Sequence, residues 1–271
     1  MKLVKWLLII FITFRSLTLL AGWEIVYRIN DPEGWINYNV LLIEDNVMKY
    51  TASGGSYIYN SSNGEFTFIV KENQSYWTGN IVNFRNELDS AMCIIIDEIL
   101  SELPTSQYDI YEQFLNDLSL MYSLPAPETI DTLKIEIKDT GLFEEIAGFE
   151  AKKYEISEND QIIESVWISM ELFVSSDLKP EKIVEVMNQV EPNVENNNLY
   201  KYNKEYLGLF STGFILKSEI TGGEITMVIK AEQREIKIKE LTIPDNYTQV
   251  TATELLQHKM MGSNQGNDAN W

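Results

Sequence analysis

Cysteine and histidine are nearly absent from this chain. Its 271 residues include one cysteine, Cys93, and one histidine, His258. A single cysteine excludes an internal disulfide, so the stability of the fold has to come from its packed core. The same scarcity argues against a zinc site, a Cys-His dyad or a Ser-His-Asp triad. We therefore predict no cofactor, no metal site and no enzymatic activity, and we expect Cys93 to be buried within its apolar run, Met92–Ile96.

Basic residues are also few. The chain has 21 Lys and Arg against 41 Asp and Glu, which gives a net charge of −20. Because phosphate contacts need Lys and Arg, a surface this acidic repels nucleic acid, and we expect no nucleic-acid partner. Solubility explains the acidity better than an acidic binding patch does. Neighbouring acids such as Glu144 and Glu145 are expected by chance here, so no carboxylate pair is assigned a catalytic role.

A long apolar run occurs at the N-terminus, and it is interrupted. Two lysines precede an apolar core, and Ala21 and Gly22 supply the small residues of a signal-peptide cleavage zone. Arg15 breaks the run before it reaches the roughly 20 apolar residues of a bilayer span. We expect residues 1–22 to be cleaved, leaving an exported protein, periplasmic or secreted, with no stable membrane span. A lipoprotein is not expected, because Trp23 stands where the lipid-bearing cysteine would be.

The hydrophobic period changes twice along the remaining chain. Alternation typical of strands runs from Trp23 to Trp77, and a helical period follows over residues of about 80–123. Alternation returns at Leu133, and a further helix is predicted for Pro180–Val190, with proline in its first turn. Strands, then helices, then strands predict one α+β domain over residues 23–260, with a flexible tail at 261–271. The expected architecture is a curved, largely antiparallel sheet, an open half-barrel, covered on one side by helices.

Short signals predict several turns and caps. Asn63-Gly64 and Asn159-Asp160 lie between alternating runs and indicate hairpins. A shift of apolar phase indicates a bulge or a turn near Gln233. Thr251 and Glu254 have the spacing of a capping box and predict a short final helix.

Two blocks of the chain resemble a known family. The first block, Met48–Gly79, contains the pair Tyr76-Trp77 close to its end. The second block consists of Gly148–Tyr154 followed by Val166–Ile168. Together they resemble a secreted bacterial family catalogued as domain of unknown function 4412. That resemblance implies a fold like that of the periplasmic lipoprotein carriers, a curved antiparallel sheet closed by helices. Members of this wider fold group hold acyl chains against a concave apolar face, and the family itself has no established activity.

Aromatic residues on the predicted strands are the candidate binding residues. They either form a packed core or line a cavity between sheet and helices. The six that we assign to a cavity for an apolar ligand are Tyr57, Tyr59, Phe66, Phe68, Trp77 and Trp167.

Three functions remain open at this point. The leading hypothesis is an exported, non-enzymatic protein that binds an apolar or amphiphilic envelope ligand, such as a lipid or an acylated partner. The alternative is an envelope interaction or structural protein that docks a protein partner through a sheet edge or the segment Tyr200–Tyr206. The third is a hydrolase with a carboxylate site. The sequence does not indicate the oligomeric state.

Overall fold

The computed structural model describes most of the chain between residues 22 and 257. The described residues are 22–53, 55–102, 104, 134–172, 174, 178–190 and 196–257, with backbone alone for Ile99, Glu102 and 196–198. Residues 1–21 of the predicted signal peptide, the helix expected near residues 106–122, His258 and the predicted tail at 261–271 lie outside these ranges.

Twelve strands make up one sheet in the described part of the chain. Their bounds are β1 Gly22–Asn30, β2 Ile36–Glu44, β3 Val47–Ala52, β4 Gly55–Asn60, β5 Glu65–Val70, β6 Ser75–Asn80, β7 Ile135–Ile146, β8 Phe149–Glu158, β9 Gln161–Ser169, β10 Phe214–Ile220, β11 Ile225–Arg234 and β12 Thr248–Gln249. Both predicted hairpins are confirmed, since β4 pairs with β5 and β8 with β9. The second turns through Asn159 and Asp160, whose φ angles are 50° and 63°.

Helices follow β6, β9 and β12. Their bounds are α1 Ile81–Glu102, α2 Pro180–Val190, α3 Lys204–Leu209 and α4 252–257, with 3-10 turns at Asn196–Tyr202, Phe210–Thr212 and Ile238–Glu240. The predicted helix Pro180–Val190 is confirmed at both ends. The capping box is confirmed too, because the Thr251 amide donates to Glu254 Oε2 at 2.8 Å and the Glu254 amide to Thr251 Oγ1 at 3.2 Å. Among these helices none has the length and apolar character needed to cross a membrane.

The strand order shows how the sheet is assembled. It runs β12-β6-β5-β4-β3-β2-β1-β11-β10-β9-β8-β7, and every neighbouring pair is antiparallel except β12 with β6. The end strands β12 and β7 do not pair with each other, so the sheet is open. A largely antiparallel, open sheet accompanied by helices is therefore confirmed. β12, only two residues long, was not expected from the sequence.

One face of strands β1 to β6 carries the core. Tyr57 pairs with Phe68, and Phe68 pairs with Trp77 on the next strand, so their side chains share this face. Phe84 of α1 packs onto it, with ring centroids 5.0 Å from Phe66 and 5.4 Å from Phe68. Helix α1 is thus joined to the sheet through aromatic contacts.

Cys93 is exposed, and the expectation that it would be buried is wrong. The inward stripe of α1 runs through Phe84, Leu88, Met92 and Ile95, all of which are buried. Successive helical residues are rotated by about 100°, so the residue after Met92 points away from the sheet. An apolar run in the sequence therefore did not imply burial of each of its members.

β11 has a bulge at Ile229, and the strand ends at Arg234, next to the bulge or turn predicted near Gln233. Val26 of β1 pairs with Lys230, and Tyr27 pairs with Val228, which leaves Ile229 without a partner on β1. Val228 is consequently buried, whereas Ile229 is 42% exposed. The neighbouring strand β1 fixes this position, and the local phase of β11 does not reveal it.

Candidate functional site

A pocket lies between the sheet and helices α2 and α3. It encloses about 120 Å³ and is partly open to solvent. Its sheet side consists of residues from β1, β3, β9, β10 and β11, and its helix side includes one face of α2. For comparison, a dry apolar cavity of about 150 Å³ is large enough to bind benzene.

Helix α2 supplies an apolar wall. Ile183, Val184 and Met187 line the pocket from one side, and Ile29 and Ile215 line it from the sheet. Met187 lies four residues after Ile183 and three after Val184, and residues at these spacings are neighbours on one face of a helix. Ile183 is almost fully buried, which anchors the helix at this wall.

Helix α3 and the preceding 3-10 turn carry a small aromatic cluster beside the pocket. Asn203 is the N-cap of α3, and its Oδ1 accepts a hydrogen bond of 2.8 Å from the Glu205 amide. The cap holds Tyr206 against Tyr200 and Phe210, with edge-on ring contacts at 5.4 and 4.8 Å. Tyr206 also lines the pocket.

Two tyrosines of the sheet form part of the floor. Tyr27 and Tyr50 have ring centroids 6.3 Å apart, and Asn39 donates a 2.6 Å hydrogen bond to Tyr50 Oη. Burial, and to a smaller extent the neighbouring Tyr50, raises the pKa of Tyr27 well above its usual value. Tyr27 is therefore neutral at ordinary pH, and both rings offer aromatic surface to the pocket.

Glu164 is the unusual group in the lining. Its side chain is 1% exposed, and Oε1 accepts a short hydrogen bond from the Ser218 hydroxyl. The other oxygen, Oε2, is buried without a hydrogen-bond partner, and the carboxylate makes no ion pair with any residue that the structure describes. Burial of a carboxylate costs folding free energy unless a cation or several hydrogen-bond donors compensate its charge. Glu164 has only part of this compensation.

The Tyr200 phenol lies close to this carboxylate. Burial raises the pKa of Tyr200 far above its usual value, and the charge of Glu164 raises it further. A hydrogen-bonding interaction with Glu164 raises this pKa as well, although Tyr200 Oη and the carboxylate do not meet with good hydrogen-bond geometry. Tyr200 therefore stays a neutral phenol and does not supply a positive charge for Glu164.

Charges of both signs occur elsewhere in the lining. Glu224 accepts a 2.7 Å hydrogen bond from Thr226 Oγ1, and Lys201 is the one basic side chain among the lining residues that the structure describes. Lys201 forms no ion pair with another described residue, including Glu164. The lining thus combines apolar side chains with a buried carboxylate and a few polar groups.

None of the six aromatic residues assigned from the sequence lines this pocket. Tyr57, Tyr59, Phe66 and Trp77 are buried on the core face of β4 to β6, and Phe68 packs there partly buried. Phe84 fills the space above that face, with Trp77 at 5.0 Å. Their role as ligand contacts stays a prediction, whereas their contacts with one another are those of a packed core.

Trp167 lies apart from the other five, on β9. Lys217 places its Nζ 4.1 Å from the centre of the indole ring, and Lys153 places its Nζ at 5.3 Å. Trp167 pairs with Lys153 and Lys217 on the adjacent strands, so all three side chains share one sheet face. Glu164 lies three residues before Trp167 on β9, and successive side chains of a strand point to opposite faces. Glu164 therefore belongs to the opposite face of the sheet.

Glu164 was not among the site residues predicted from the sequence, although its position in the pattern of β9 distinguishes it. Glu164, Val166 and Ile168 have the same phase in β9, and all three are buried. A carboxylate in phase with two core residues is the pattern that would have identified it. Within the ranges that the structure describes, no three His, Cys, Asp or Glu side chains are grouped to hold a metal ion.

Comparison with known proteins gives distant similarities. No family model matches the chain, and no curated protein matches it. The solved structure of PNGF-II is similar at 14% identity and TM-score 0.42, covering 89% of this chain and 33% of that one. An uncharacterised conserved protein from Thermus thermophilus is similar at 5% identity and TM-score 0.39, covering 84% of this chain and 88% of that one.

A third similarity is to the MucA/MucB complex of Pseudomonas aeruginosa. Its identity is 9% and its TM-score 0.33, covering 83% of this chain and 56% of the matched chain. The chain spans about a third of the length of PNGF-II. At these values the comparisons assign neither a family nor a function, and the resemblance to domain of unknown function 4412 stays a prediction.

Proposed function

We propose that this protein is an exported, non-enzymatic binding protein that takes an apolar or amphiphilic envelope ligand into the pocket between the sheet and helix α2. The pocket carries the proposal: it encloses about 120 Å³ and is lined on both sides by aliphatic side chains. Ligand sites of this kind are concave, mostly apolar and provided with few polar groups. In this proposal the sheet is a curved half-barrel covered on one side by helices, as in the resemblance to domain of unknown function 4412.

Binding is favoured over catalysis by the chemistry of the lining. Ser218 donates its hydroxyl to Glu164, and no histidine or cysteine is among the described residues that line the pocket. A carboxylate is a much weaker base than a histidine imidazole, so Ser218 lacks the strong base that activates a serine nucleophile. Docking of a protein through Tyr200–Tyr206 is less favoured, because Tyr200 and Tyr206 are buried.

Titration of benzyl alcohol into three proteins tests whether the pocket binds ligands at all. Benzyl alcohol, which has no charge and can leave part of its volume at the open side of the pocket, should bind the wild-type protein and shift amide resonances of Ile29 and Val184. Val184→Phe places a ring in the pocket and should weaken binding at least about ten-fold. Val82→Phe, the same change at an exposed position of α1, is the matched control and should bind like wild type.

Native mass spectrometry of the exported protein supplies the physiological ligand. An added mass that disappears on denaturation and is absent from Val184→Phe would support the proposal. Failure of benzyl alcohol and of its charged analogues benzylammonium and benzoate to bind, or equal binding by Val184→Phe and wild type, would refute the pocket as a ligand site. The denatured mass also gives the N-terminus of the exported protein and so tests the predicted cleavage.

A further inference from the structure

We propose that the pocket selects ligands that carry a protonated amine on a small apolar group, and that the amine binds Glu164. This inference rests on the proposed function and specifies the chemical class of its ligand. Three features of the pocket support it: a buried carboxylate that forms no ion pair with a described residue, a cavity beside it, and a lining poor in positive charge.

The first feature is the uncompensated negative charge of Glu164. Oε1 accepts a hydrogen bond from the Ser218 hydroxyl, and the Tyr200 phenol interacts with the same carboxylate without reaching good hydrogen-bond geometry at Oε2, although Glu164 is 1% exposed. Both neighbours are neutral hydroxyl groups, and within the described part of the chain no lysine or arginine forms an ion pair with this carboxylate. An ammonium group supplies the missing positive charge together with a hydrogen-bond donor, which a hydroxyl or an amide cannot do.

The second feature is the cavity itself. Glu164 lines it together with the aliphatic side chains of α2, so a ligand headgroup bound at the carboxylate would place its apolar portion against Ile183 and Met187. A volume of about 120 Å³ suits a phenyl ring or a short alkyl chain. A longer amphiphile would have to leave the rest of its chain at the open side.

The third feature is the electrostatic surroundings. Tyr27, Tyr50 and Tyr206 present aromatic rings to the same pocket, and the faces of such rings attract cations. Glu224 adds a second carboxylate to the lining, and the whole chain carries a net charge of −20. Lys201 is the opposing group, because its ammonium would favour a carboxylate headgroup. Lys201 forms no ion pair with Glu164 and so does not neutralise that residue directly.

Three probes of the same shape separate the possibilities. Benzylammonium, benzyl alcohol and benzoate fill the same volume and differ in the charge of their headgroup. Measured by calorimetry at pH 7, benzylammonium should bind wild type at least about ten-fold more tightly than benzyl alcohol, with benzoate the weakest. This order of affinities needs no variant and so does not depend on the folding of one.

Two neutralising substitutions then locate the selectivity. Glu164→Gln should reduce the preference for benzylammonium over benzyl alcohol to within about three-fold. Glu224→Gln removes the same charge from the lining and should keep most of the preference. Near-UV circular dichroism and the melting temperature establish that each variant is folded.

The outcomes distinguish this inference from the proposal on which it rests. Benzyl alcohol binding without a preference for benzylammonium refutes amine selectivity and leaves the apolar pocket in place. Tighter binding of benzoate also refutes it and assigns headgroup recognition to Lys201. If none of the three probes binds, the ligand-binding function itself fails. Equal losses in Glu164→Gln and Glu224→Gln would attribute the preference to general charge and refute the assignment to Glu164.

Discussion

Phe84 is the residue that links helix α1 to the sheet. It is 1% exposed and contacts Phe66, Phe68 and Trp77 with ring centroids between 5.0 and 5.4 Å. The alternation of the strands predicts that aromatic residues of β4 to β6 occupy one face. It does not predict which residue covers that face, because the covering side chain comes from a helix whose docking is a tertiary contact.

Phe84→Ala should therefore destabilise the protein by about 3–5 kcal/mol, the usual range for removing a buried aromatic ring. Urea denaturation followed by circular dichroism measures this change in the free energy of unfolding. Val82→Ala, at a position of α1 that is 54% exposed, is the control and should change stability by less than about 0.5 kcal/mol. A small effect of Phe84→Ala would mean that α1 contributes little to the core.

At the scale of elements, Arg234 joins the end of β11 to two other segments. Its Nε lies 2.5 Å from Glu24 Oε2 on β1, and its second guanidinium nitrogen lies 2.8 Å from Glu240 Oε1 in the 3-10 turn Ile238–Glu240. The hydrogen bonds from Arg234 lower the pKa of Glu240 to about 2, with help from the Lys237 amide. Hydrogen bonds from Lys230 and then Arg234 also lower the pKa of Glu24.

These shifts give the cluster a defined pH dependence. Both carboxylates have a lower pKa in the folded protein than the value of 4.5 that they would have unfolded. Their contribution to stability is therefore fully present above pH 4.5 and is lost as the pH falls toward about 2. The groups are partly solvated, so the contribution at neutral pH is small.

Arg234→Gln should lower the free energy of unfolding at pH 7 by about 0.5–1 kcal/mol. The difference from wild type should shrink as the pH falls from 4.5 toward 2, because protonated Glu24 and Glu240 no longer need a cation. Denaturant titrations at several pH values measure it. Lys239→Gln removes an exposed charge from the same turn and should show no such trend; a constant difference for Arg234→Gln would argue against the ion pairs.

Local patterns predicted the elements well and their pairing less well. Helix Pro180–Val190 has a proline start and an apolar stripe, and the hairpin at Asn159-Asp160 has residues that tolerate positive φ. In contrast, the bulge at Ile229 and the parallel contact of β12 depend on partners distant in the chain. The same holds for the pocket: Glu164 was visible in the phase of β9, but its neighbours α2 and β1 were not.

For the whole molecule, the dominant electrostatic property is the net charge of −20. Repulsion among surface carboxylates opposes the compact state, and salt screens it. The Debye length falls from about 30 Å at 0.01 M salt to about 8 Å at 0.15 M. Repulsion across the sheet is then largely removed, whereas close ion pairs such as Lys230–Glu24, at 2.7 Å, are affected less.

Raising NaCl from 0.01 to 0.15 M should therefore increase the melting temperature by about 2–4 °C. A variant with Glu136→Lys and Glu145→Lys, two exposed positions of β7, should melt higher than wild type at low salt and respond less to added salt. Scanning calorimetry on both proteins provides the comparison. A melting temperature that falls with salt would mean that attractive ion pairs outweigh the repulsion.

The strand order also determines when the sheet can be completed. β1, the first strand in the described chain, lies in the middle of the sheet, between β2 and β11. Strands β2 to β6 can add to β1 in turn as neighbouring hairpins, but the other side of β1 receives residues 225–234. A chain made from its N-terminus therefore carries an open central strand edge until nearly all of it has been synthesised. Because an exposed strand edge can pair with other chains, the cell has to shield it until then, by a chaperone or by delayed folding.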